Sequence, residues 1–350
     1  MEHDHELTAV REIHRFDEAA LATFLSANLE GCGADMAVRQ FEGGQSNPTF
    51  MIESGDKRWV VRKKPPGELL PSAHAVDREY RVMTALADTG VPVPKMHFLC
   101  EDESIIGTAF FVMEMVPGRV IADISLPGFS PAERTAVYEH LIEILAALHS
   151  VDYEAVGLTE FGRVGNYVGR QISRWSKQYV ASKTEDIPEM DALMEWLPEN
   201  LPAVDETTVV HGDYRIGNCI LHPTEPRVVA ILDWELATLG HPLGDLSYVC
   251  QAYHAESVTG DSLVGINHDA TGIPSEQRML ELYCSLTGRD GIDDWTYYIA
   301  YSLFRSAAII QGVYKRGLDG ISSSERSTGY AGACRSRAEW AWKLAQQVGA

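Results

Sequence analysis

The chain has 350 residues, long enough for two packed lobes and too long for one minimal core. A hydrophobic fraction of 45%, a charged fraction of 23% and a mean hydropathy of -0.13 describe a folded globular protein and exclude a disordered majority. Lys and Arg number 29 against 50 Asp and Glu, so the formal charge is -21; that charge repels a nucleic-acid backbone and an anionic membrane surface, and neither is expected as a partner.

Six cysteines, Cys32, Cys100, Cys219, Cys250, Cys284 and Cys334, are scattered without the two-residue spacing of a zinc or redox pair, and they read as free thiols in a reducing compartment. Residues 1–6 carry neither a basic region nor an apolar run, and no later segment offers the ~20 apolar residues of a membrane span. A cytoplasmic location is the default expectation.

From about residue 36 to 120 the pattern is of strands with one helix. Residues 37–41, 49–53 and 58–62 are strand candidates, the last rich in β-formers. Residues 74–88 read as a helix with Tyr80, Val82, Met83 and Leu86 as its apolar positions. Pro92 and Pro94 break the pattern, residues 109–115 resume as a buried strand, and Pro117-Gly118 turns the chain. Helical patterns then dominate. Ser130-Pro131-Ala132-Glu133 is a capping box with proline at the first helical position, followed by an apolar face of Val137, Leu141, Ile144, Leu145 and Leu148. Residues 167–180 and 294–314 are further helices, with their Trp and Tyr residues in the core, while 180–189 and 260–274 are expected as exposed loops.

The strongest chemical signal is His211-Gly212-Asp213-Tyr214-Arg215-Ile216-Gly217-Asn218, followed by Leu232-Asp233-Trp234-Glu235. Between Asn218 and Asp233 lie an apolar run, the turn 222–226 and a second apolar run, which together predict a hairpin. Such a hairpin places Asn218 and Asp233 at one end, two hard oxygen ligands suited to Mg²⁺. Phosphoryl transfer requires positioning, charge neutralisation and a base near the attacking hydroxyl. Asp213 is the candidate base, Arg215 the candidate group to neutralise charge on the phosphoryl, and His211 a brace for the loop. Singly, an Asp or Asn in a turn more often caps backbone groups; the combined spacing and intervening hairpin outweigh that reading.

These segments resemble the catalytic and metal-binding motifs of the aminoglycoside phosphotransferase and choline kinase superfamily, whose core fold is shared with protein kinases. The resemblance covers nearly the whole chain. It implies an α+β, protein-kinase-like bilobal fold, with a small β-rich nucleotide-binding lobe over 1–116 and a larger, mainly helical catalytic and substrate-binding lobe over 117–350. ATP and Mg²⁺ are the implied cofactors. By the same likeness Asp245 supports the catalytic loop from beneath. The loop holding Gly43, Gly44, Ser46 and Asn47 stands where a phosphate-covering loop belongs, although it is not a Gly-x-Gly-x-x-Gly sequence.

On the next strand Arg62 replaces the usual kinase lysine, with Lys63 and Lys64 as alternative phosphate ligands; alternation favours Arg62 and turns Lys63 the other way. Glu79 is the implied partner of that cation. Backbone groups near Glu114 and Val116 correspond to the hinge that meets adenine.

Barely a dozen residues separate Asp233 from Asp245, too few for a peptide-docking activation segment, so the expected partner is a small hydroxylated substrate. Residues 62–67, Arg170-Gln171 with Trp175, residues 233–240, and Phe304-Arg305 with Gln311-Gly312 resemble one branch. That branch is the kinase domain of acyl-CoA dehydrogenase family members ten and eleven with its stand-alone bacterial relatives. It implies phosphorylation of the hydroxyl of a 4-hydroxyacyl-CoA. An aminoglycoside is the alternative acceptor, and a nucleotide-binding pseudokinase the alternative of another class. An anionic thioester calls for Lys and Arg at its site and an aminoglycoside for Asp and Glu; Arg170, Arg174 and Lys177 on one helical stretch favour the former. Oligomeric state has no signature in the sequence.

Overall fold

The computed structural model describes residues 7–42, 47–65, 75–256, 262–320 and 325–350. In chain order it runs β1 (Leu7–Thr8), α1 (Glu18–Asn28), β2 (Ala37–Phe41), β3 (Thr49–Ser54), β4 (Lys57–Lys63), α2 (Val76–Leu86), β5 (Met96–Cys100), β6 (Phe110–Glu114) and β7 (Arg119–Val120). It continues through α3 (Pro131–His149), α4 (Tyr167–Ser182), α5 (Pro188–Glu199), β8 (Thr208–Val210), β9 (Cys219–Leu221), β10 (Val228–Ile231) and β11 (Thr238–Gly240). Last come α6 (Pro242–Cys250), α7 (His268–Thr271), α8 (Glu276–Thr287), α9 (Trp295–Leu318) and α10 (Ala333–Gln347). The chain divides into two compact units: the first takes the chain up to Val120 and then Cys219–Leu236, the second Ile121–Asn218 and Ala237–Ala350.

The first unit is built on an antiparallel sheet of order β1-β2-β3-β4-β6-β5. Alternation along β4 and β6 sorts its two faces. Trp59 and Val61 of β4, with Phe110 and Val112 of β6, join Leu21, Leu25 and Leu29 from and just after α1 in one buried cluster. Phe111 turns to the opposite face, where its ring meets Tyr80 of α2. Each fully buried Leu or Phe in such a cluster contributes about 1.5 to 3 kcal/mol of burial free energy. The hairpin β9–β10 forms as expected, with Cys219 opposite Ile231, and pairs with β7 in a second small antiparallel sheet.

The second unit is helical apart from the ribbon β8–β11. Its central element is α9, buried over most of its circumference from Tyr297 to Ala308 and packed by α4, α6 and α10. A helix apolar on nearly every side has to be wrapped in this way. The capping box at the start of α3 is complete: the Ser130 hydroxyl accepts the Glu133 amide, and Glu133 Oε2 accepts the Ser130 amide at 2.8 Å.

Several expectations are corrected. The loop expected over 180–189 shrinks to a short connection, because α4 runs to Ser182 and Pro188 opens α5 at its first turn. Within 260–274 the one-turn α7 forms, created by polar caps with no apolar period: Asn267 accepts the Ala270 amide, and Gly272, at φ +74°, ends it. The helix expected over 74–88 spans Val76–Leu86, with His74 outside the described residues. Helices α1, α5, α6, α8 and α10 had no counterpart among the predicted elements.

Replacing Ser130 with Ala removes one half of the capping box. Stability is expected to fall by about 1 kcal/mol, read as a lower urea midpoint with an unchanged slope.

Candidate active site

In the first unit the strand period decides which cation faces α2. Arg62 points to that side and Lys63 to the other, where its ammonium lies 5.8 Å from the centre of the Phe16 ring and burial pushes its pKa down. Arg62 spends its fork on three partners. Its Nε lies 3.0 Å from Glu79 Oε2, its Nη2 donates to Asp233 Oδ1 at 2.8 Å, and its Nη1 reaches Thr49 Oγ1 at 3.4 Å. Asn47, fully buried, donates its amide to Glu79 Oε1 at 2.7 Å. Asn47, Glu79, Arg62 and Asp233 thus form one continuous polar chain.

Burial works against the Arg62 charge, yet Glu79, Asp233 and Glu235 outweigh it and hold the guanidinium above its ordinary pKa. Burial pushes the Glu79 carboxyl up, with Arg62 and Asn47 pulling the other way. Asp233 has φ +66°, a left-handed conformation that costs an aspartate about 1 kcal/mol or more. The next residue anchors it: Trp234 is buried and its Nε1 donates to the Ile231 carbonyl at 3.0 Å.

At the end of β6, Glu114 is exposed and its amide donates to the Lys95 carbonyl at 2.8 Å, while Val116 is half-buried. Gly43, Gly44 and Ser46 lie outside the described residues.

In the second unit the segment after β8 makes a tight loop that the buried carboxylate of Asp245, on α6, gathers from below. Its Oδ2 accepts the His211 amide at 2.6 Å and its Oδ1 the Gly212 amide at 2.9 Å. Burial would raise this carboxyl; the neighbouring His149 and His211, with the Gly212 amide, hold it below the usual carboxylate range. Gly212 has φ +83°, a conformation in which any Cβ would be strained. His211 is buried and its Nδ1 accepts the Asp213 amide at 3.1 Å, a bracing position.

Beyond that turn, the Asn218 amide donates to both the Asp213 carbonyl at 2.9 Å and Asp213 Oδ2 at 2.8 Å. Arg215 lies half exposed, its Nε 3.5 Å from Asp213 Oδ2. Because the Asn218 nitrogen is committed to Asp213, its carbonyl oxygen is the atom left for a cation. The Asn218 carbonyl in the second unit and the Asp233 carboxylate in the first are each hard oxygens of the kind Mg²⁺ takes when waters and phosphates complete its shell. Among the described residues no group of three or more His, Cys, Asp or Glu could hold a metal by itself.

Sequence reasoning missed His149 and did not assign a role to Arg305. His149 Nδ1 meets the Tyr283 hydroxyl at 2.7 Å and its Nε2 lies 3.6 Å from Asp245 Oδ2. No local pattern marks it, since its partners are far away in the chain.

A family model described as the phosphotransferase enzyme family matches residues 37–282. The chain belongs to that family. It is 48% identical over 317 residues to acyl-CoA dehydrogenase family member 10 of Mus musculus, covering 90% of this chain and 30% of that protein. The chain spans less than half the length of the curated relatives it matches. A crystal structure from Ralstonia eutropha, provisionally called an aminoglycoside phosphotransferase, is 50% identical with a TM-score of 0.86, over 95% of this chain and 99% of that one.

A thermostable mutant of aminoglycoside phosphotransferase APH(4)-Ia, in ternary complex with AMP-PNP and hygromycin B, superposes with a TM-score of 0.59 at 16% identity, over 93% of this chain and 98% of that one. Likeness of that grade establishes the fold, an α+β phosphotransferase fold of the protein-kinase type.

Replacing Asp245 with Ala strips the amides of His211 and Gly212 of their buried acceptor and removes the charge beside His149. The expected loss is about 3 kcal/mol, measured as a drop in thermal or denaturant midpoint against wild type.

Proposed function

We propose that this member of the family transfers the γ-phosphate of ATP to a hydroxyl of a small molecule, with a 4-hydroxyacyl-CoA as the acceptor the chain fits best. The observation that carries the reading is the arrangement around Asp213. Asn218 anchors one carboxylate oxygen, His211 and Asp245 hold the backbone beneath it, and the carboxylate keeps about a fifth of its surface exposed to receive an acceptor hydroxyl. A carboxylate so fixed orients the hydroxyl and takes its proton as the oxygen attacks, which is the help phosphoryl transfer needs from a base.

Arg215, exposed and beside Asp213, would meet charge developing on the transferring group. Arg62, paired with Glu79, presents a planar fork toward Asp233 and suits a phosphate oxygen better than it would suit a point contact. Asn218 and Asp233 would hold Mg²⁺, which supplies charge neutralisation to the phosphates when bound. Gly43, Gly44, Ser46 and Asn47 would cover the phosphates, Asn47 also bracing Glu79, and the backbone at Glu114 and Val116 would meet the adenine. The nucleotide is supported by the distant relative of the same fold crystallised with AMP-PNP.

The acyl-CoA acceptor is supported by the branch resemblance, by the name of the mouse relative, and by Arg174 and Lys177, exposed on α4. Arg170, on the same stretch, serves a structural end: its guanidinium donates to the Gly165 and Arg163 carbonyls. All three oxygen-bearing residues that a pseudokinase tends to lose, Asp213, Asn218 and Asp233, are present.

The test is ADP release with ATP, Mg²⁺ and a panel of 4-hydroxyacyl-CoAs, aminoglycosides, choline and homoserine. Turnover is expected with the hydroxyacyl thioester, and Asp213→Asn should reduce it by about 10²- to 10⁴-fold. Undiminished turnover in that variant refutes the assignment of the base, and preference for an aminoglycoside refutes the acceptor.

A further inference from the structure

Arg305 occupies the middle of α9 and is only 2% exposed. Its guanidinium lies 4.7 Å from the centre of the Tyr248 ring and 5.6 Å from that of Trp175, and its Nη2 donates to the Gly212 carbonyl. None of the ion pairs among the described residues includes it, and its Nε is buried without a partner. Burial works against its charge, while Tyr301, Tyr167, Tyr248 and the Asp213 carboxylate hold its pKa above the ordinary value.

The Gly212 carbonyl belongs to the peptide that links Gly212 to Asp213. That unit is planar, so its orientation is set once both its polar ends are held. The N–H end is held by His211 Nδ1 at 3.1 Å, and Arg305 holds the carbonyl end. Asp245 grips the two preceding amides, of His211 and Gly212, and leaves this plane untouched. With the plane fixed, the direction in which the Asp213 Cα presents its carboxylate is fixed as well.

We propose that Arg305 is a positioning residue for phosphoryl transfer, acting through the Gly212 carbonyl to aim the Asp213 carboxylate. Tyr248 and Trp175 are the faces that keep its guanidinium in register. The proposal rests on Asp213 as the base and adds a residue that touches neither substrate nor nucleotide. A strut that only tied α9 to the loop would affect melting and leave the chemistry of each folded molecule unchanged.

The experiment compares wild type, Arg305→Met, Arg305→Lys, and both changes in an Asp213→Asn background, all in the full chain. In Arg305→Met, kcat per folded molecule should fall about 10- to 100-fold, the loss that misplacement of a reacting group brings, while KM for ATP stays within about twofold. Its melting temperature is recorded alongside, so that the rate is referred to folded molecules. Arg305→Lys, which keeps the charge and a donor, should recover part of the loss. In the Asp213→Asn background neither change should lower the residual rate further, as expected of residues acting as one unit.

Hydrogen exchange provides a readout that needs no turnover: amides 211–213 should exchange at least about tenfold faster in Arg305→Met, with α3 and α10 unaffected. An unchanged kcat per folded molecule together with unchanged exchange at 211–213 overturns the proposal, as does an equal loss in the Asp213→Asn background. If Arg305→Met does not fold, the same two criteria are applied to Arg305→Lys. A wild-type chain without phosphotransfer would refute the proposed function alone, and the exchange at 211–213 would still decide whether Arg305 holds this peptide.

Discussion

A single buried carboxylate, Asp245, organises the second unit's chemistry. It takes the amides of His211 and Gly212 on its two oxygens, and those bonds hold the turn in which Gly212 goes left-handed and Asp213 emerges. Ionised and deep in the fold, it is affordable only because the amides and His149 stabilise its charge. Everything proposed for the loop follows from that anchoring: His211 has its ring beneath the Asp213 amide, Asn218 can reach back to the Asp213 carboxylate, and Arg305 finds the Gly212 carbonyl turned toward it.

The first unit solves a related problem with a cation. Where a kinase carries lysine, Arg62 uses the width of a guanidinium to engage Glu79 and Asp233 at once, and Asn47 completes the set from two residues before β3. A lysine would offer a point charge with no fixed fork, so the substitution changes how the strand, α2 and the residue after β10 are tied together. Asp233 is kept in a conformation that aspartate adopts at a cost, and the buried Trp234 is the fastening that makes this tolerable. Along the chain, the hairpin β9–β10 separates Asn218, the last residue of the second unit before it, from Asp233 in the first.

Much of this was legible from local pattern. The hairpin announces itself by two apolar runs around His222-Pro223, α3 by its capping box, and the inward face of Arg62 by simple alternation on β4. What stayed illegible depends on the tertiary fold. α10 is short of aliphatic residues and is defined by small buried positions such as Ala338 and Ala341, whose meaning depends on α9 lying against them. α7 exists through side-chain caps and has no apolar period. His149 serves Asp245 across 96 residues of sequence (245 − 149), and Arg305 serves Gly212 across 93. Arg170 shows the converse: three basic residues in one helical stretch suggested a common ligand, yet one is spent on backbone carbonyls.

The central claim is transfer of a phosphoryl group to a small hydroxylated acceptor, and following the phosphorus tests it most directly. Wild-type chain would be given ATP bearing isotope-labelled oxygen on the γ-phosphate, Mg²⁺ and a 4-hydroxyacyl-CoA, with the products resolved by mass spectrometry. The label should appear as a phosphate ester on the acyl hydroxyl, in amounts equal to the ADP formed. Stoichiometric ATP binding with the label retained on ATP, or released only as inorganic phosphate whatever hydroxylated acceptor is supplied, would contradict it.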